Sequence, residues 1–218
     1  MKKVAFCLKG MIKKNNKGEY LDIQRCKKSI DKYIIEQNPN YQFDFFCQCW
    51  NEDLEDTLKS LYKPKMLLCE DNNKFSNEIS EKYNSSSNQF FNQVSHSLAI
   101  KKCIEIKENY EIQNNLQYDI VILYRYDLLL WKEILLDKYI LNKDNIYVNA
   151  HINCNGDFHF ILNNNNSKLF KDLYYSPKKG NVPKEHYWIK NYIINYLKKN
   201  LIMDDIVPGK YQELINKL

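Results

Sequence analysis

Apolar and polar positions along the chain form two alternating patterns. Short aliphatic or aromatic runs, typical of buried strands, are separated by stretches whose apolar residues recur at helical spacing. The runs predict strands at residues 4–8, 43–50, 65–69, 118–131, 145–150 and 156–162. Helices are predicted from residue 22 to a stop at Asn38-Pro39, from residue 51 through Leu61, and over 89–110, 166–175 and 184–200. The polar stretch 71–88 is predicted to be a mobile loop.

The order of these elements predicts the fold class. Strands and helices alternate through the first third of the chain, and such alternation favours a mostly parallel sheet flanked by helices, that is, a doubly wound, Rossmann-like α/β fold. At 218 residues the chain fits one domain. The sequence therefore predicts a single α/β domain over residues 1–218.

Composition and charge limit the kinds of partner and the cellular compartment that we expect for the protein. The formal charge of +5 comes from lysines dispersed along the chain, whereas nucleic-acid binding proteins usually carry a dense basic block. We therefore expect no nucleic-acid partner, and the charge is compatible with anionic substrates. The seven cysteines are odd in number and lie mostly in apolar segments, which favours free thiols in a reducing compartment.

The expected cellular location follows from two features that the sequence does not show, a signal-peptide cleavage site and an apolar run long enough to cross a membrane. The apolar run near the N-terminus meets Lys9 and Gly10 without a small-residue cleavage site. No run reaches the roughly 20 apolar residues that a transmembrane helix needs. We expect a cytoplasmic protein without a transmembrane segment, at most peripheral at the inner face of a membrane.

The segment YDIVILYRYDLLLW, residues 118–131, places two charges inside an apolar run. Burying an unpaired charge is costly, so Arg125 and Asp127 either neutralise each other or stand at a strand end that faces a ligand. Ligands of open parallel sheets bind beyond the carboxyl ends of the strands. An Arg side chain suits phosphate oxygens, and a carboxylate can hold a divalent ion that bridges two phosphates. A structural ion pair at the rim of the sheet is the equally weighted alternative.

Several segments together carry a family resemblance. They are LKGMIKK after the first strand, DFFCQCWN with Asp44, Phe46 and Trp50, QVSHSLA at residues 93–99, and YDIVILYRYD. Their order resembles that of small bacterial and viral GT-A-type glycosyltransferases of capsular or lipopolysaccharide glycan synthesis, with R-x-D in place of D-x-D. The resemblance covers about the first 160 residues. It implies a GT-A-like domain with a nucleotide-binding part at about 1–130 and an acceptor-side part at about 131–218.

The resemblance also implies site residues and partners. Asp127 would bind a Mn or Mg ion on the diphosphate of a nucleotide-sugar donor, and Arg125 would supply a fixed cation beside it. Lys9, Gly10 and Lys13 would approach the nucleotide, although a plain strand-to-loop turn explains LKG equally well. The acceptor would be a surface glycan, with a lipid-linked glycan as one form.

An inverting transferase needs a carboxylate base for the acceptor hydroxyl. The candidates are Asp157, before a predicted strand, and Glu185, near the start of a predicted helix. A turn residue and a helix-dipole interaction are the respective structural alternatives. His159 alternates with Asp157 and could face the same site, but a core histidine is the more frequent case for such a position.

Two other functions fit the same pattern. A phosphoryl or sulfuryl transferase also uses strand-end loops. It would need a phosphate-cradling loop after the first strand, and LKGMIKKNNKG is a poor match to such a loop. A non-catalytic nucleotide- or glycan-binding module predicts that the R-x-D charges form only an ion pair.

Overall fold

The computed structural model describes residues 1–83, 88–130, 132–150, 159–176, 187–208 and 212–214. The strands are β1 Lys2–Gly10, β2 Tyr41–Cys49, β3 Met66–Cys69, β4 Ile120–Arg125, β5 Leu128–Leu130, β6 Asn145–Ala150, β7 His159–Asn163, β8 Asn200–Pro208 and β9 Gln212–Leu214. The α-helices are α1 Ile23–Ile30, α2 Glu55–Tyr62, α3 Ser76–Tyr83, α4 Asn88–Gln113, α5 Asn164–Leu169 and α6 Tyr187–Asn191. Turns of π-helix extend α1 over Asp31–Ile35 and α6 over Tyr192–Tyr196.

Seven strands form one sheet in the order β3-β2-β1-β4-β7-β6-β8. Strand β7 pairs antiparallel with both of its neighbours, and every other pairing in this sheet is parallel. The predicted α/β class with a mostly parallel sheet and flanking helices is confirmed. Strands from both the first 130 residues and the later part of the chain join this one sheet.

Both faces of the sheet are covered by helices. Alternation along β1 sends Val4, Phe6 and Leu8 to the face where α1 and α2 pack, while Ala5 and Cys7 face α4. Helix α1 begins at the predicted cap, because the Asp22 carboxylate accepts hydrogen bonds from two backbone N–H groups of the first turn. The long helix α4 runs one residue beyond its predicted start and three beyond its predicted end.

Three predicted elements need correction. Residues 72–83 are not a loop: a 3-10 turn, Asn72–Phe75, leads into α3, whose Ile79 is buried against Trp50, Val94 and Leu98. The predicted helix 184–200 ends at Tyr196 and is followed by strand β8. A single strand over 118–131 is also wrong, since β4 ends at Arg125 and β5 pairs with β9 in a separate two-stranded sheet.

The apolar run after Asp127 leaves the main sheet because it has another partner. All three residues of β5 are buried, and the Ser29 hydroxyl on α1 accepts from the backbone N–H of Leu130 (2.7 Å). The main sheet therefore ends at Arg125, and the chain turns away at Tyr126 and Asp127.

Two further findings concern the whole chain. The six described cysteines (Cys7, Cys26, Cys47, Cys49, Cys69 and Cys103) are free thiols, as predicted, and Cys154 lies outside the described residues. Within the described ranges, no helix combines the length and the apolar character needed to cross a bilayer.

Candidate functional site

Three polar side chains stand in one row at the carboxyl ends of adjacent parallel strands. Lys9 of β1 pairs in register with Gln48 of β2 and with Arg125 of β4. Residues in register on parallel strands project to the same face, so all three point toward the α4 side of the sheet. We call these residues, Gln48, Lys9 and Arg125, the carboxyl-edge row. Two of its three members carry a positive charge.

Lys9 is a buried cation. Lys9 is 1% exposed. It directly follows the apolar strand residues Val4 to Leu8 and is buried as fully as they are. Its ammonium group contacts Nε2 of His96, which α4 brings to this end of the sheet. A lysine is seldom fully buried unless it is paired, so its place at a strand end marks a polar site inside the fold.

Gln48 is the member of the row that sequence reasoning missed. It is fully buried, and its Oε1 accepts a hydrogen bond from the backbone N–H of Gly10 (3.1 Å). That bond fixes the orientation of the amide, and among the described residues Nε2 has no hydrogen-bond partner. The signal in the sequence was the lone amide inside the apolar run FFCQCW. A buried N–H without a protein acceptor is costly, so the Gln48 amide is a polar group that could donate to a bound ligand.

Gly10 is explained by its backbone. Its φ of +105° lies in the region that favours glycine, and a Cβ added there would meet nothing within 4 Å. Its carbonyl accepts from Trp50 N–H (3.2 Å), which ties the end of β1 to the end of β2. The positive φ is thus one reason for a glycine at this turn, and the expected approach of its backbone to a nucleotide stays a prediction.

Arg125 and Asp127 form a bidentate ion pair. Nε donates to Oδ1 at 2.9 Å and Nη2 donates to Oδ2 at 2.6 Å. The Asp127 carboxylate is 3% exposed, whereas the Arg125 side chain is 22% exposed. The charges thus neutralise each other, as one alternative predicts, and they lie where the chain leaves the sheet; a ligand facing this strand end stays a prediction.

The pair bears directly on the predicted metal. Both oxygens of Asp127 already accept from a guanidinium, which would repel a divalent ion at the same carboxylate. In the described part of the chain, no group of three or more His, Cys, Asp or Glu side chains could hold a metal ion. The described residues therefore contain no site that would hold a metal by protein ligands alone, and Asp127 as a ligand of Mn or Mg on a diphosphate stays a prediction.

The loop after β1 is held against the loop after β2. Ile12 N–H donates to Asn51 Oδ1 (2.8 Å), and Tyr20 donates to the carboxylate of Asp53. Lys13 lies in this loop with an exposed side chain, and its carbonyl accepts from the backbone N–H of Leu21 (3.0 Å). The structure thus brings together Lys9, Gly10, Arg125 and Asp127 and leaves Lys13 outside the carboxyl-edge row.

The remaining candidates have different outcomes. Asp157 and Glu185 lie outside the described residues, so their role as base stays a prediction. His159 is fully buried and stacks on Tyr124, with ring centroids 6.1 Å apart. It faces the α1 side of the sheet, opposite the carboxyl-edge row.

The chain was compared with known proteins. No protein-family model matches it, and no curated protein matches its sequence. Among solved structures, it is similar to the glycosyltransferase GlyE of Streptococcus pneumoniae TIGR4, with 13% identity, 93% of this chain covered and a TM-score of 0.42. The match covers 45% of GlyE, so the chain spans less than half the length of that protein.

Two other solved structures have similar scores. Mouse xyloside xylosyltransferase 1 is 13% identical over 88% of this chain and 76% of its own, with a TM-score of 0.40. A glycosyltransferase involved in the glycosylation of the major capsid of PBCV-1 is 8% identical over 94% and 82% of the two chains, with a TM-score of 0.40. At these identities the similarity concerns the course of the chain alone.

Proposed function

We propose that the protein is a glycosyltransferase that moves a sugar from a nucleotide-sugar donor to a surface-glycan acceptor of capsule or lipopolysaccharide synthesis. The observation that carries this proposal is the carboxyl-edge row, in which Lys9 and Arg125 place two cations at the ends of adjacent parallel strands. Ligands of such sheets bind at this edge. The segment order that resembles the GT-A type supports the same function.

The row suits the charge that develops in the reaction. As the bond between the anomeric carbon and the diphosphate breaks, its electron pair stays on the diphosphate, whose negative charge rises. Fixed cations in a poorly hydrated site stabilise such charge without reorganising during the reaction. Lys9 is already buried before a donor arrives, and Arg125 is held in place by its two hydrogen bonds to Asp127.

The proposed chemistry is a direct displacement. The acceptor hydroxyl oxygen attacks the anomeric carbon, the diphosphate leaves, and the hydroxyl proton passes to a carboxylate base. Asp157 and Glu185 are the proposed candidates for that base. The acceptor could be lipid-linked, which would place the enzyme in the cytoplasm against the inner face of a membrane.

The structure disfavours the phosphoryl or sulfuryl transferase. In a phosphate-cradling loop, the helix begins directly after the loop and offers its free N–H groups to the phosphate. Here residues 11–22 separate β1 from α1, and the first N–H groups of α1 are capped by Asp22. No step of the proposed reaction requires that helix end.

The first experiment tests binding and turnover together. Purified protein is titrated with UDP, GDP, CDP and ADP, with and without Mn, while its melting temperature is followed, and the corresponding nucleotide sugars are assayed for hydrolysis. We expect one nucleoside diphosphate to stabilise the protein and its sugar conjugate to be hydrolysed. Stabilisation without turnover would favour the binding module, and no response to any of the four compounds would contradict the proposal.

The second experiment separates the site from a structural ion pair. We expect Asp127→Ala and Arg125→Ala to abolish donor hydrolysis in the folded fraction. The matched control is Glu105→Ala, which removes an ion pair with Lys101 on the surface of α4 (2.8 Å) and should leave hydrolysis unchanged. If the folded Asp127→Ala protein hydrolysed the donor as fast as the wild type, the proposed role of the pair would be wrong.

A further inference from the structure

Two thiols face each other across the ends of β2 and β3. Cys49 and Cys69 are paired in register on these adjacent parallel strands, and the Cys49 thiol also contacts Asn51 Oδ1 (3.5 Å). Adjacent strands lie about 4.8 Å apart, which falls within the roughly 4.4–6.8 Å between Cα atoms that a disulfide spans. Only a small adjustment is needed, because Cys69 is the last residue of a short edge strand.

The two thiols differ in access. Cys49 is fully buried, while Cys69 is partly exposed. An oxidant in solution can therefore reach Cys69 first, and Cys49 lies directly behind it.

The surroundings of Cys69 favour its thiolate. The neighbouring Cys49 thiol lowers the pKa of Cys69, and Lys59 on α2 acts in the same direction. Burial and the carboxylates of Glu55 and Glu52 oppose that shift, and the net direction is downward. The neighbouring Cys69 and burial raise the pKa of Cys49, so it stays protonated. Partly exposed thiols with a lowered pKa beside a second thiol are the ones that oxidants modify.

We propose that Cys49 and Cys69 form an oxidation site in which a hydroperoxide converts the two thiols into a disulfide. The Cys69 thiolate attacks the outer oxygen of the hydroperoxide; the O–O bond breaks, Cys69 becomes a sulfenic acid, and the alkoxide takes a proton to leave as an alcohol. The Cys49 sulfur then attacks the Cys69 sulfur and loses its proton. The S–O bond breaks, the hydroxide leaves as water, and the two sulfurs are oxidised while the hydroperoxide is reduced.

The chain contains its own control pair. Cys7 and Cys103 are also neighbouring thiols, but both are fully buried, and the Cys103 thiol donates to the backbone carbonyl of Leu8 (3.3 Å). Burial raises the pKa of the Cys103 thiol, so its thiolate is scarce. The thiols are close together in both pairs, but only the Cys49–Cys69 pair includes a thiol that solvent can reach.

The test is oxidation of folded protein in a Cys154→Ser background with hydrogen peroxide, followed by trypsin digestion and mass spectrometry. Cleavage at lysines places Cys49 in peptide 33–59 and Cys69 in peptide 66–74. We expect these peptides to become linked, with the loss of two hydrogens and no change at Cys7 or Cys103. We expect Cys69→Ser to stay unlinked. In Cys49→Ser, Cys69 should stop at the sulfenic acid, which dimedone captures.

Several results would overturn the proposal. In one such result, peptides 33–59 and 66–74 stay unlinked while other cysteines oxidise. In another, the link persists in Cys49→Ser, which would assign it to Cys47 on the same peptide. Equal oxidation of Cys7 and Cys103 would also contradict it, because access would then not decide the reaction. None of these readouts depends on the proposed transferase activity.

Discussion

Two buried lysines lie on the α4 side of the same sheet, one near the carboxyl ends of the parallel strands and the other near their amino ends. We call these two sides of the sheet the carboxyl edge and the amino edge. At the amino edge, Lys107 of α4 forms a salt bridge with Glu111 (3.0 Å) and donates to Asn164 Oδ1. Glu111 also accepts from Asn164 Nδ2 (2.8 Å) and from Tyr118 N–H (3.0 Å). We call Lys107, Glu111 and Asn164 the amino-edge network.

At the carboxyl edge, the arrangement is different. Lys9 stands in register with a second cation, Arg125, and with Gln48, whose Nε2 has no hydrogen-bond partner among the described residues. In the amino-edge network, by contrast, charge and hydrogen bonds are matched inside the fold. The comparison teaches that burial of a lysine does not identify a site; what distinguishes the carboxyl edge is a second cation and an unmatched buried donor, which together suit an anionic ligand.

The largest expected effect is on the amino-edge network. Glu111→Ala would leave Lys107 buried without its carboxylate, and breaking a buried pair in this way costs about 3–5 kcal/mol in the free energy of unfolding. Urea denaturation measures this directly. Glu105→Ala on the same helix, which breaks the surface pair with Lys101, should cost less than about 1 kcal/mol. Equal losses for the two variants would remove the distinction on which the comparison depends.

The next effect separates the two lysines by function. Lys9→Met should weaken binding of the stabilising nucleoside diphosphate by at least about tenfold, because a hydrogen bond to a charged group contributes about 1.5–3 kcal/mol. Lys107→Met should destabilise the fold and leave the affinity of the folded fraction unchanged. Calorimetric titration of both variants provides the measurement. If Lys107→Met lowered the affinity as much as Lys9→Met, the carboxyl-edge row would have no special role.

Salt should affect the two edges differently. Raising NaCl from low to about 0.5 M shortens the range of exposed charges, so binding of the nucleoside diphosphate to the partly exposed carboxyl edge should weaken several-fold. The difference in unfolding free energy between wild type and Glu111→Ala should stay nearly constant, because buried pairs are screened little. A salt-independent affinity would argue against binding by Lys9 and Arg125.

The smallest effect concerns pH. Alkylation by iodoacetamide requires the thiolate, and the neighbouring Cys49 thiol lowers the pKa of Cys69. The rate at Cys69 should therefore rise at a lower pH than for an ordinary thiol with a pKa of about 8.5. Cys49→Ala removes the neighbouring thiol and should shift the profile to higher pH. An unchanged profile would mean that Cys49 does not set the reactivity of Cys69.

Much of the fold could be predicted from sequence because the signals were local. Strands β1, β2 and β3 and helix α4 lie within a few residues of their predicted bounds, since apolar runs and helical periodicity reflect burial directly. Residues 72–83 were missed because α3 buries one main anchor, Ile79, and is otherwise polar. The end of β4 was missed because the partner of β5 is β9, far along the chain.

The site was harder to predict than the fold. Lys9, Arg125 and Asp127 could be found because charges next to buried runs are unusual. Gln48 was marked only by a lone amide in an apolar run, and His96 by no signal, since the strand register and the packing of α4 are what place them beside Lys9. The pairing of Asp127 with Arg125, which decides how well a metal fits, depends on side-chain geometry that an R-x-D pattern does not specify.

The most direct test of the carboxyl-edge row is an NMR titration of ¹⁵N-labelled protein with the nucleoside diphosphate that stabilises it. The account predicts that the largest shifts occur at the Gln48 side-chain amide, the Gly10 backbone N–H and Arg125 Nε, with little change at Glu111 or Asn164. Shifts that were largest at the amino-edge network, or absent from Gln48, Gly10 and Arg125 at saturation, would contradict it.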